Sequence, residues 1–411
     1  MHMRLRRGRH LIAAGAFAIS MSLLVAACSS SGSAAHSGGG GASSTATGSS
    51  GSAGGSTSGS GLTQSQKNEL TKKIEAARQQ VQWKPPGPAI DVSSLKGKTI
   101  FAVVASQSDP FQKQLADGIR EGAEAAGLKA NIVDPGNSTP QLVQNLDAAV
   151  SQRVAAIVLG TTNPETIAKS LKAAKAAGIP VIASINGDAT YLPDDQKRDM
   201  NILANSSYCF TCAGQVLADQ MILKTNGNLH AAYLQIPGGY PYSVDQLNGL
   251  KKEIATYCPG TCTVDVSTLT VDNLVQSVTT AAQKAARNPK INLVYPDAEF
   301  QISLALPAIK SAGAADRIWL AGTNGNLAPL QSMAAGEKII DVGNPTVWDG
   351  WGAVDAALRA LTHGDVPLEE APYRLFDESN IKSLDLKADA GTWYGPADFR
   401  AEFKKLWGVG S

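Results

Sequence analysis

Ser106-Gln-Ser-Asp-Pro-Phe111 brings an acid, an amide, two hydroxyls and an aromatic ring together within six residues. These groups suit recognition of a small polar molecule. An ionised Asp109 accepts charge-assisted hydrogen bonds from hydroxyls, and the Phe111 ring offers a flat apolar wall. Bond-breaking chemistry has no comparable constellation. The five histidines (His2, His10, His36, His230 and His363) are scattered, and HExxH, GxSxG and GxxxxGK[ST] are all absent. Gly322-Thr-Asn-Gly325 is a lone glycine pair that a turn explains. No enzymatic activity, cofactor or metal is expected.

The cysteines carry a second kind of chemistry. Cys28 stands alone, and the other four form two local pairs, Cys209 with Cys212 and Cys258 with Cys262. In an exported chain these are expected as two short-range disulfides. Such small loops fix local geometry, here near a crossover and at a helix–strand turn. A redox CxxC motif at Cys209 and Cys212 and a four-cysteine zinc site are the alternatives. The redox reading has Cys212 opening a helix.

The elements that must position Asp109 and Phe111 read clearly. Thr99-Ile-Phe-Ala-Val-Val-Ala is an apolar run of the length of a strand buried on both faces of a parallel sheet. Asp109 and Pro110 then cap a helix with Leu115, Ile119, Ala123 and Ala126 at helical spacing, closed by Gly127. In open α/β sheets, ligands bind outside the carboxyl ends of the strands, where Ser106–Phe111 falls.

From there strands and helices alternate through Trp407. Lys129–Val133, Ala155–Leu159, Pro180–Ile185 and Asn201–Ala204 are expected strands of a first series, with a polar loop through Arg198. A second series runs from Ala213, with strands at His230–Ile236, Thr263–Leu269, Ile291–Tyr295, Ile318–Ala321, Ile339–Val342 and Tyr373–Phe376. Two α/β halves of similar size result.

The beginning of the 411-residue chain reads as a targeting segment. Arg4, Arg6, Arg7 and Arg9 precede the apolar run Leu11–Ala27, which ends Leu-Val-Ala-Ala-Cys28. This resembles the bacterial lipobox and implies diacylation of Cys28 after removal of residues 1–27. Without those arginines the charge balance is 32 basic to 35 acidic residues, net −3, which gives nucleic acid no basic stripe. No other apolar run reaches the ~18 residues of a membrane span. Ser29–Gly61 is almost entirely Ser, Gly, Ala and Thr, and reads as a flexible tether with a reach of about 30 Å. Thr63–Gln82 then reads as an amphipathic helix packed on the outside of the main body, broken by Trp83-Lys-Pro-Pro-Gly-Pro.

Three motifs carry a wider resemblance. They are Ser106–Phe111 with Leu115-Ala-Asp-Gly118, then Ala155-Ala-Ile-Val-Leu-Gly with Gly178-Ile-Pro-Val-Ile, and then Leu320-Ala-Gly-Thr-Asn-Gly325 with Ile339-Ile-Asp-Val-Gly-Asn344. In that order, over about Lys98–Gly364, they resemble the type I periplasmic binding proteins, in the branch that binds ribose and other sugars. The resemblance implies two Rossmann-like lobes with parallel sheets, joined by a three-crossover hinge, with ligand in the cleft. By that pattern the crossovers fall near Ala204–Ser206, Asn344–Thr346 and Leu375–Asp377. The N-terminal lobe is then 97–204 plus 345–375 and the C-terminal lobe 205–344 plus 376–411, after an N-terminal helical extension at 62–96.

The resemblance also implies site residues. Asp109 matches the polar residue before Pro-Phe, and Phe111 the ring covering the sugar. The Asp-Arg pair of pentose binders is replaced by Ile185-Asn186, so only Asn186 is polar there. Pro296-Asp297 stands for Asn-Asp, Thr323-Asn324 for Phe-Asp, and Asn344 for the hinge glutamine. Tyr240, Tyr242 and Trp348 lie beside the expected cleft loops. The cleft thus keeps amides and loses the arginines, which points to a neutral sugar or polyol.

The implied function is a monomeric solute-binding lipoprotein. It would be held on the outer face of the cell membrane by lipid and pass its ligand to ABC permease subunits. A receptor module feeding a membrane sensor kinase is the alternative on the same fold.

Overall fold

Residue alternation along the first strand shows how the fold is built. In β1 (Thr99–Val103), Ile100 and Ala102 face one side of a sheet and Phe101 and Val103 the other, and all four are buried. Each face therefore needs a helical cover. The computed structural model describes residues 61–188, 198–362, 364–368 and 370–410. Cys28, the leader and nearly all of the tether lie outside these residues, as does His363.

Asp109 caps α2 (Pro110–Ala125), accepting from the Phe111 amide at 3.1 Å. Next come β2 (Lys129–Val133), α3 (Thr139–Ser151), β3 (Ala156–Gly160), α4 (Ala168–Ala176), β4 (Val181–Ser184) and β5 (Ile202–Ser206). These strands form one all-parallel sheet in the order β2-β1-β3-β4-β5. Phe101, Val103, Ile157, Leu159, Val181 and Ala183 pack under α3 and α4 as one core, which includes Leu142, Leu146 and Leu171.

The second half repeats the plan. It comprises α5 (Phe210–Lys224), β6 (His230–Gln235), α6 (Pro241–Tyr257), β7 (Thr263–Thr268), α7 (Leu274–Arg287) and β8 (Leu293–Pro296). It continues with α8 (Ile302–Ser311), β9 (Trp319–Gly322), α9 (Leu327–Ala334) and β10 (Ile339–Gly343). Its sheet has the order β11-β10-β9-β8-β6-β7, where β11 is Arg374–Phe376. All its pairs are parallel except β10 with β11, which is antiparallel.

Each lobe also has a tightly crossed helix pair. A Cβ on Gly118 of α2 would lie 2.3 Å from the Val347 carbonyl oxygen, at the start of α10 (Thr346–Leu361). A Cβ on Gly249 of α6 would lie 2.1 Å from the Thr211 oxygen of α5. Only a residue without a side chain permits backbones this close. The two crossings are the same device, used once per lobe.

Three expected boundaries need correction. The first sheet keeps the chain through Ser206, so the first crossing follows that residue rather than Ala204. At Asn344-Pro345 the chain leaves β10 for α10, which covers α2. The third comes earlier than Leu375–Asp377. The buried Arg374-Leu-Phe376 already pairs with β10, and Ala371 donates to the Ser207 oxygen at 2.9 Å beside the first crossing. The tail is not confined to the second lobe either. The aromatic residues of α11 (Phe399–Leu406) and Trp407 find their apolar partner in the first lobe's α10, with Trp351 stacked on Trp407 at 5.3 Å.

The N-terminal helix α1 (Gln64–Arg78) lies outside the main body, as its amphipathicity implies. It carries a capping box of Thr63 and Gln66, and buries Leu70, Ile74 and Ala77. It stops at Arg78, four residues short of the expected Gln82, because the chain turns extended at Gln79. Among the described residues no helix is long and apolar enough to cross a membrane.

Candidate functional site

The carboxyl ends of both sheets face one cleft, in two connected chambers of about 490 Å³ and about 40 Å³. The first lobe contributes Ser106, Ser108, Asp109, Pro110, Phe111 and Gln112 after β1, Thr161 after β3 and Ile185 after β4. The second contributes Ile236, Tyr240 and Tyr242 after β6, Asp297, Ala298 and Phe300 after β8, and Asn324 after β9. This is the strand-end arrangement expected of an open α/β sheet. Among the described residues, no lysine or arginine lines either chamber.

Asp109, Phe111, Asp297, Asn324, Tyr240 and Tyr242 of the expected set therefore line the cleft. One Asp109 oxygen caps α2, which leaves the other for a ligand. Burial pushes its carboxyl up from the ordinary carboxylate value, opposed by the Phe111 amide. Asp297 is buried, and desolvation pushes it up to about 6. It accepts from the Ile236 amide at 2.7 Å, the Ser243 hydroxyl at 2.8 Å and the Gln301 amide at 3.0 Å. It therefore shapes the cleft wall more than it offers free acceptors.

Three expected residues lie elsewhere. Asn186 is buried, with its oxygen on the Thr162 amide at 2.6 Å and its nitrogen toward the Leu159 oxygen at 3.4 Å. It ties the ends of β3 and β4 together. Asn344 is buried at the second crossing, where its amide donates to Asp349. Trp348 stacks between Trp83 and Phe399, at 5.4 Å and 5.2 Å. Polar or aromatic character suggests a cleft position for these residues, but backbone groups engage Asn186, the Asp349 carboxylate engages the Asn344 amide, and rings enclose Trp348.

Gln112, Thr161, Phe210 and Gln246 also line the cleft, outside the motifs that the sequence singles out. Gln112 is buried on the cleft floor, donating to the Thr161 hydroxyl at 2.9 Å and accepting from the Ala105 amide at 3.2 Å. Its sequence signal is a polar residue at i−3 from Leu115, on the apolar stripe of α2. Thr161 (φ 48°) and Ile185 (φ 56°) are β-branched residues in left-handed backbone. Each such conformation costs on the order of 1–3 kcal/mol and concentrates at functional sites.

A clamp beneath the cleft holds the Asn324 loop. Tyr208 donates to the Thr323 carbonyl at 2.6 Å. Asp341 accepts from the Gly325 amide at 3.0 Å and Glu299 from the Asn326 amide at 3.1 Å. Glu299 and Asp341 are fully buried neighbours with no cationic partner among the described residues. Desolvation and the Asp341 charge push Glu299 well up, and desolvation pushes Asp341 up to about 6.

These carboxyls give a pH prediction. An acid whose folded value lies above its unfolded one contributes stability at low pH that is lost as pH rises through the folded value. Asp297 and Asp341 place that loss between their ordinary value of 3.8 and about 6, and Glu299 extends it upward. Asp377, pulled down by Arg78, contributes only at more acidic pH. The thermal midpoint is therefore expected to be higher at about pH 5 than at about pH 8. A midpoint that rises from the first pH to the second would refute this assignment.

Both cysteine pairs stand at disulfide geometry. The Cα separation is 5.1 Å between Cys209 and Cys212, and 5.4 Å between Cys258 and Cys262, within the range a disulfide spans. Cys209 is the N-cap of α5, so the helix begins at Phe210, and Cys212 lies in its first turn rather than opening it. Cys258 is the C-cap of α6, and the Cys262 amide donates to the Cys258 carbonyl at 3.0 Å just before β7. The purely local role expected of Cys262 needs correction. Cys262 is buried, and its sulfur accepts from the Leu229 amide at 3.2 Å, so it ties this turn to the start of β6 as well. Sequence distance hid that partner, which β6–β7 pairing brings alongside. The four-cysteine zinc alternative needs both pairs in one place. Among the described residues Cys209 and Cys212 stand within ligand reach of Glu370, and Cys258 and Cys262 are not part of that group.

Two mostly parallel α/β lobes, three crossings and a strand-end cleft define a type I periplasmic binding protein fold. The chain belongs to the periplasmic binding protein domain family, which its residues 100–365 match. Similar proteins include the D-apiose import binding protein of Actinobacillus succinogenes, 24% identical over 305 residues, or 70% of this chain and 90% of that one. The ribose import binding protein of Bacillus subtilis is 29% identical over 101 residues, which span 25% of this chain and only 32% of that protein. An ABC transporter solute-binding protein from Agrobacterium vitis, solved with bound allitol, superposes with a TM-score of 0.63 at 22% identity. The match covers 72% of this chain and 100% of that one.

Proposed function

We propose that this protein is the extracytoplasmic binding component of an ABC importer, taking a neutral sugar or polyol in the interlobe cleft and presenting it to permease subunits. The cleft chemistry carries this reading. Asp109, Gln112 and Asn324 offer donors and acceptors beside the Phe111, Tyr240 and Tyr242 rings, with no lysine or arginine among the described lining residues. An anionic ligand would have no counter-charge there. The relatives named for D-apiose and ribose import support the same class.

The role is binding, not catalysis, and the protein acts as a monomer. Ligand touching both lobes favours their closed arrangement by its differential affinity for it. Cys28 is the lipid anchor of the exported chain, and the two cysteine pairs are oxidised outside the cytoplasm.

Calorimetry with D-apiose, D-ribose, allitol, myo-inositol and small organic acids tests the reading. A neutral polyhydroxyl compound is expected to bind, and a deoxy analogue at least about tenfold more weakly, because its missing hydroxyl leaves a cleft group unpaired. Tight binding of an organic acid with no response to the neutral compounds would overturn it.

A further inference from the structure

Two chain segments outside the family's matched region, residues 61–98 and 377–410, do not sit on one lobe. Each begins on the second lobe and ends on the first. The N-terminal segment starts with α1, where Lys73 pairs with Asp219 at 2.8 Å and Glu253 at 2.7 Å on α5 and α6. Arg78 pairs with Asp377 just past β11. Trp83 then packs on the first lobe's Trp348 and edge-on against Phe403 at 4.8 Å. The C-terminal segment leaves β11, sets Tyr394 against Phe376 at 5.4 Å, and ends with Phe399, Phe403 and Trp407 around Trp351.

The two segments also hold each other. The Val81 amide donates to the Tyr394 oxygen at 2.7 Å, and the Ile90 amide to the Leu406 oxygen at 2.9 Å. One buried arginine per lobe joins both. In the second lobe, Arg374 donates to the Arg78 carbonyl at 3.0 Å and to the Trp393 carbonyl. In the first, the Arg359 guanidinium lies against Gly87 and bonds Asp355 at 2.6 Å, whose other oxygen takes the Trp407 indole N–H at 2.6 Å.

We infer that the paired terminal segments are a strap across the hinge, adding two crossings to the family's three and limiting how far the lobes open. Three short crossings allow rotation through a few φ/ψ changes. Two more chains, bonded to each other and pinned in both lobes, must stretch or detach for the lobes to swing wide. The strap keeps the ligand-free cleft near its closed width. This rests on the two-lobed binding reading only in that the lobes move, and it is independent of which ligand binds.

Spin labels on non-natural residues at Lys129 and Val266, in the outermost strands of the two sheets, report the interlobe distance in the full chain without ligand. Trp83→Ala and Arg374→Ala, which touch opposite ends of the strap and no cleft residue, are expected to broaden the distribution and lengthen its mean by more than about 2 Å. In the unaltered protein, native-state hydrogen exchange at the Val81 and Ile90 amides is expected to be at least about a hundredfold slower than in an unstructured chain. Unchanged distances in either folded variant would overturn the strap. So would fast exchange at those amides, which needs no variant to fold. Calorimetry with the neutral compounds and organic acids named above tests the proposed function separately, since it can fail while the strap holds.

Discussion

Asp109→Ala is expected to weaken binding of a neutral polyol by about ten- to a hundredfold, while Asp109→Asn recovers part of the loss. Asp109 has two jobs, one for each oxygen. One caps α2 through the Phe111 amide, and since Asp109 lines the cleft the other is left for a ligand. A hydrogen bond to a charged group contributes about 1.5–3 kcal/mol, which is the stated loss of affinity. Removing the cap costs about 1 kcal/mol of stability on its own. Asparagine keeps an oxygen for the cap but gives the ligand a neutral partner, so it separates the two effects. Calorimetry of both variants, after circular dichroism confirms folding, reads the result. Full affinity in Asp109→Ala would show that the ligand sits elsewhere in the cleft.

Cys28→Ala is expected to move the protein from the membrane fraction to the soluble fraction almost completely. The prediction rests on the sequence, because Cys28 lies outside the described residues. A single acyl chain gives only marginal membrane affinity, at about 0.8 kcal/mol per buried methylene, so a diacylated cysteine is what makes an anchor stable. Ser29–Gly61 cannot replace it, being almost entirely Ser, Gly, Ala and Thr. Cell fractionation with mass spectrometry of the N-terminal peptide checks both the location and the lipid. Membrane association that survives the substitution unchanged would place the anchor in another part of the chain.

Much of the architecture was legible because it depends on local signals. Thr99–Val103, Asp109-Pro110 and Gly127 state strand, cap and stop by composition alone, and the same code repeats through both halves. Asp109 and Phe111 could be placed in the cleft for the same reason, since they follow a strand end directly. The two cysteine pairs are close in sequence, so their proximity needed no tertiary information. The contact of Cys262 with the Leu229 amide did need it.

Side-chain direction and the path of the terminal segments were not legible. Asn186, Asn344 and Trp348 have the right types at the right strand ends or crossing. Whether an amide meets solvent or a neighbouring backbone N–H depends on the register of β3 against β4, and a sequence does not display that register. Gln112 was hidden by the opposite logic, a polar residue on an apolar stripe whose partners, Thr161 and the Ala105 amide, arrive from the end of β3 and the loop after β1. The tail joins the first lobe because Phe399, Phe403 and Trp407 bury their rings against Trp348, Trp351 and Trp83, which lie far away along the chain. Local hydrogen bonding and helical periodicity write elements into adjacent residues. Which surfaces those elements cover is settled by packing between distant ones, where apolar area and unpaired polar groups are matched only after the chain has folded.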